Sequence, residues 1–60
     1  MITDKEITAQ QYIANAAYYI YAKQDKLKTY EDFKKALEKL DLEPDDYTYF
    51  IRKLADVTGV

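Results

Sequence analysis

The chain holds a single Gly and a single Pro, Gly59 and Pro44, and both fall near one end. Strands are usually separated by residues that take special backbone angles, and Gly and Pro are the main ones. Here the first 43 residues contain neither. Good helix formers fill that stretch. The pattern predicts an all-α fold.

Sixty residues make one domain, residues 1–60. A chain this short buries only about 60% of the surface its unfolded form exposes, so its stability is thin. There is no Cys, so no disulfide supplements it. Close helix packing or self-association must do so instead. The charged fraction of 33% beside 48% hydrophobic residues is a folding composition rather than a disordered one.

Three helices are predicted, at about 4–25, 30–40 and 44–58, joined by short loops as a three-helix bundle. The first opens on a capping box. Thr3 can accept from the backbone of Glu6, Glu6 can reach back, and Ile2 can pack on Ile7. Ile7-Thr8-Ala9-Gln10-Gln11-Tyr12 repeats that grammar, but Asp4 and Glu6 favour the earlier start, because a helix N-terminus attracts negative charge.

The second helix is expected to be capped by Thr29, with Tyr30, Phe33, Leu37 and Leu40 on its inner face and Ala36 beside them. A turn at Asp41-Leu42-Glu43 precedes Pro44, which suits a first helical position because its missing N–H is not needed there. Tyr47, Phe50, Ile51, Leu54 and Thr58 form the third inner stripe, and Gly59 is the expected left-handed stop.

The most unusual segment is Tyr12 to Ala22, apolar or aromatic everywhere except Asn15 and holding four of the seven tyrosines. It falls short of the roughly 20 residues needed to span a bilayer. Its tyrosines favour a membrane interface over the hydrocarbon centre. The opening residues also lack the pattern of a signal peptide, so a cytoplasmic location is the expectation. On a helical wheel Ile2, Ala9, Ile13, Ala16, Ala17 and Ile20 share one narrow inner face. Tyr12 and Tyr19 flank it on one side. Tyr18 and Tyr21, with Ile7 and Ala14, flank it on the other.

The composition removes most chemistry. With no Ser, Cys or His, nucleophile-plus-base arrangements have no parts. One terminal Gly excludes a phosphate-binding glycine loop. Asp41, Glu43, Asp45 and Asp46 suggest a calcium loop, but Asp46 stands where that loop needs Gly and Arg52 where it needs Glu. No enzyme activity, metal, cofactor or small-molecule substrate is expected.

Two interaction surfaces remain. Ala36, Leu40, Leu42, Tyr47 and Phe50 reproduce the apolar spacing of a helix-turn-helix unit. Its outward helix would offer Thr48, Tyr49 and Arg52 to DNA, beside Glu43 and Asp45. DNA affinity rests on Lys and Arg, so this alternative is weak for a chain of formal charge −2. Lys23, Lys26, Lys28, Lys34, Lys35 and Lys39 are interrupted by Asp25, Glu31, Asp32 and Glu38 and read as a solvated face of mixed charge.

The other surface is aromatic. Tyr49 projects away from its stripe, and Tyr12 and Tyr19 are expected to be exposed as well. Tyrosine offers large contact area at low entropy cost. The leading expectation is a non-enzymatic protein-interaction module that binds a protein partner or a second copy of itself through Tyr12, Tyr19 and Tyr49. Richness in Ile, Lys, Tyr and Asp suits an AT-rich bacterial or phage genome.

Overall fold

The structure is a computed structural model that describes residues 3–60. The chain runs as α1 (Asp4–Tyr21), α2 (Lys26–Lys39) and α3 (Pro44–Thr58), and each helix touches the other two. The described residues contain no strand. The three-helix bundle measures 34 × 17 × 16 Å.

α1 starts where the capping box places it. The Thr3 side chain accepts from the Glu6 N–H at 3.2 Å. The Ile2 half of the expected staple, and the place of Ile2 on the inner face, lie outside the described residues. The far end corrects the expectation of helix to about residue 25. α1 stops at Tyr21, and Lys23 turns into the left-handed region at φ 65°. The Lys23 N–H donates to the Ile20 carbonyl at 2.9 Å and the Gln24 N–H to the Tyr19 carbonyl at 3.0 Å. That pair of bonds satisfies carbonyls the helix end would otherwise leave open. The position usually carries Gly, because a side chain there costs about 1–2 kcal/mol. A Lys in that role leaves no mark in the sequence.

The early stop frees Asp25 to cap α2. Its carboxylate accepts from the Lys28 N–H at 2.8 Å. The helix therefore begins at Lys26, four residues before the expected start, and Thr29 is buried inside its first turn rather than capping it. Asp25→Ala is expected to cost about 1 kcal/mol, the usual value of such a cap. Thermal melting followed by circular dichroism checks this, and an unchanged midpoint would return the cap to Thr29.

Asp41 takes φ 55° and turns the chain out of α2. Pro44 then occupies the first turn of α3, and Gly59 ends it at φ 74° with its N–H on the Ala55 carbonyl, 2.9 Å away. Both match expectation.

The buried core consists of Ala9 and Ala16 from α1, Leu37 from α2, and Phe50 and Leu54 from α3. Tyr30, Phe33, Leu40, Tyr47 and Ile51 pack around it half-buried, so the inner stripes of α2 and α3 hold. Thr58 is buried too, its hydroxyl donating to the Leu54 carbonyl at 2.8 Å. One expected inner residue moves: Ala17 is exposed. At about 100° per residue it stands well around the helix from the buried Ala16.

Candidate interaction surface

α2 packs over one side of α1 and decides which tyrosines it covers. Phe33 is the contact residue. Its ring centroid lies 6.1 Å from that of Tyr12 and 5.5 Å from that of Tyr19, both tilted. Tyr12 is therefore half-buried and packed against the core, which corrects the expectation that it is exposed. Tyr19, nearer the open end, keeps 45% of its surface. It borders a cavity of about 350 Å³ whose walls also include Lys28, Asp32 and Phe33.

Tyr49 is exposed, as expected, but on another side of the molecule. Its ring meets Phe50 edge-on at 5.1 Å, and the Lys53 ammonium sits 5.6 Å from its centroid. It lines a shallow groove between α1 and α3 with Gln10 and Ile13. Tyr12, Tyr19 and Tyr49 therefore do not form one surface. The first two belong to the α1–α2 groove and the third to the α1–α3 groove.

Thr48, Tyr49 and Arg52 are brought together, all exposed on the outer side of α3. Asp45, Lys53 and Asp56 are exposed on the same helix. Two carboxylates balance the two cations there, which leaves no positive stripe for phosphate.

The surface left open is the side of α1 that faces away from both neighbours. Tyr21 is 86% exposed, Tyr18 65% and Ile7 44%, and Gln11, Ala14 and Ala17 are exposed between them. From Ile7 to Ala22 the chain carries no charged residue. α2 and α3, by contrast, carry Lys, Arg, Asp or Glu along their exposed sides. A solvent-facing helix side usually gains charge for solubility. This one has amides, alanines and tyrosines instead. The uncharged run was readable in the sequence, but its orientation was not.

The interior offers little chemistry. Tyr47 donates its hydroxyl to the Glu38 carboxylate at 3.2 Å, tying α3 to α2. Burial pushes the Tyr47 pKa above its ordinary value, and the hydrogen bond to Glu38 and the charges of Glu38 and Tyr30 push the same way. That phenol keeps its proton near neutral pH. Among the described residues no three carboxylates stand close enough to hold a metal ion, and no helix is long and apolar enough to cross a membrane. Compared with known protein families, curated proteins and solved structures, the chain shows no significant match.

Proposed function

We propose that this chain is a non-enzymatic, cytoplasmic protein-interaction module that binds through the outward side of α1. The observation that carries this reading is the uncharged stretch from Ile7 to Ala22, whose outer tyrosines Tyr18 and Tyr21 make no use of the bundle's core. Exposed apolar area of this kind on a small domain marks a surface that something covers. Tyr19 and Tyr49 stand in the two grooves beside it and can extend the contact on either edge. Tyr12 lies behind, packed on Phe33, which in turn meets Tyr19.

Photo-cross-linking tests the reading. A benzoylphenylalanine at position 18 is expected to form adducts with protein at cellular concentration. The same group at Lys35, on the charged outer side of α2, is expected to form few. Equal yields at the two positions, or none at either, would sink the proposal. The alternative of a DNA-binding regulator built on α2 and α3 is weaker, because Asp45 and Asp56 share the face of Thr48, Tyr49 and Arg52. Retardation of mixed-sequence DNA at low salt, abolished by Arg52→Ala, would reinstate it.

A further inference from the structure

The join between α1 and α2 is built from residues that favour helix. Ala22, Lys23 and Gln24 are good helix formers, and neither Gly nor Pro stands between Tyr21 and Lys26. The chain turns there with Lys23 in the left-handed region, at φ 65°. The turn bonds the N–H groups of Lys23, Gln24 and Lys28. A straight helix would bond every N–H from Lys23 to Lys28, each to the carbonyl four residues back. The second join has no such freedom. Pro44 lacks the N–H, its ring clashes with a carbonyl one turn back, and Glu43 before it is extended at ψ 148°.

The inner faces of the two helices also share one phase. Ala9, Ala16, Lys23, Tyr30 and Leu37 lie seven residues apart, and so do Tyr12, Tyr19, Lys26, Phe33 and Leu40. Ala9, Ala16 and Leu37 are buried, and Tyr12, Tyr30, Phe33 and Leu40 pack against the core. A loop between two helices does not require their faces to agree across it. Because they do, one helix over residues 4–39, about 54 Å long, would carry both faces on one side, given the slight supercoil of paired helices.

We infer that the chain has a second form, in which α1 and α2 straighten into one helix and two copies exchange α1 to make a symmetric dimer. Straightening carries α1 away from α2 and α3 and uncovers Ala9, Ala16 and Leu37. A second copy in the same state supplies the identical surfaces, so α1 of each packs against α2 and α3 of the other. The occupant follows from this: a second copy reproduces every helix contact of the closed bundle. Short hinges under strain invite such an exchange. What opposes it lies at the hinge as well. The two-fold axis falls there, so Lys23 and Lys26 of both copies gather within about one turn of it. They are the charged members of the two series, and their repulsion adds to the entropy lost on pairing. The closed bundle therefore prevails in dilute solution, and the exchanged dimer emerges as concentration rises. The exchange uses the inner side of α1, so it is independent of the reading of the outward side.

The full chain is unfolded and refolded at about 10 μM and at about 1 mM, then sedimented at the same concentration. Monomer is expected at the first, and monomer with dimer at the second. Lys23→Leu removes the charge and completes the inner series, and it should favour the dimer at least tenfold. Lys23→Gly relaxes the closed turn and weakens the long helix, and it should disfavour the dimer at least tenfold. Spin labels on a Gln11→Cys, Lys35→Cys chain, diluted into unlabelled chain, read the opening within one molecule. They stand about 36 Å apart along the straight helix and roughly 10–15 Å apart across the closed bundle. A wild-type chain that stays monomeric at about 1 mM overturns the inference. So does a dimer that keeps the short separation, or one that Lys23→Gly leaves unchanged.

Discussion

Leu37→Ala is expected to leave the chain close to its unfolding midpoint in water at 25 °C. Leu37 is fully buried, and it meets α1 and α3 from the middle of α2. Truncating a buried Leu costs about 2–5 kcal/mol, through lost burial and the cavity left behind. A folded chain of 60 residues is held by only about 3–9 kcal/mol. The two ranges overlap, so one substitution can remove most of the stability. Among the described residues only Leu37, Leu54 and Phe50 bring large side chains into the buried centre, so little around them can make up the loss. Leu54→Ala should act alike. Leu27, 56% exposed on the same helix, is the control, and its replacement by Ala should stay within about 0.5 kcal/mol. Urea titration followed by far-ultraviolet circular dichroism measures all three. A stable, cooperative Leu37→Ala protein would mean that the core lies elsewhere.

Ala16→Leu should cost nearly as much, for the opposite reason. Ala9 and Ala16 are wholly enclosed, two turns apart on the inner side of α1. Their lack of bulk lets α2 and α3 approach the α1 backbone. Three added carbons at position 16 have nowhere to go without moving a neighbouring helix or forcing a strained rotamer. Overpacking of this kind costs about 1–3 kcal/mol. The adjacent residue gives a sharp comparison. Ala17 faces solvent, so Ala17→Leu should be close to neutral for folding. Melting midpoints for the two variants are the measurement. Equal losses would place Ala17 back on the inner face, where the helical wheel puts it.

These comparisons mark where the sequence is legible. α3 was readable at both ends because Pro44 and Gly59 are the residues whose own backbone preferences start and stop a helix. The start of α1 was readable from Thr3 and Glu6, a local hydrogen bond that needs no partner from elsewhere. The join between α1 and α2 was not. Lys23 occupies a left-handed position without being Gly, and Asp25 and Thr29 are both residue types that cap helices. Nothing local decides between two caps four residues apart. In the folded chain α1 ends at the left-handed turn of Lys23, Asp25 caps α2, and Thr29 is buried inside the first turn.

The candidate surface divides the same way. The sequence alone determined that α1 has an aliphatic inner line with tyrosines on two flanks, because helical periodicity places each residue relative to the others on its own helix. It also determined that the run carries no charge and lacks the groups for chemistry. Tertiary structure alone decided which flank is covered. A helix in isolation has no preferred side for its neighbours, and α2 could in principle lie along either tyrosine flank. It lies on the Tyr12 side, where Phe33 fills the space between Tyr12 and Tyr19. Tyr18, Tyr21 and Ile7 face solvent as the consequence, on the side that two short helices cannot reach.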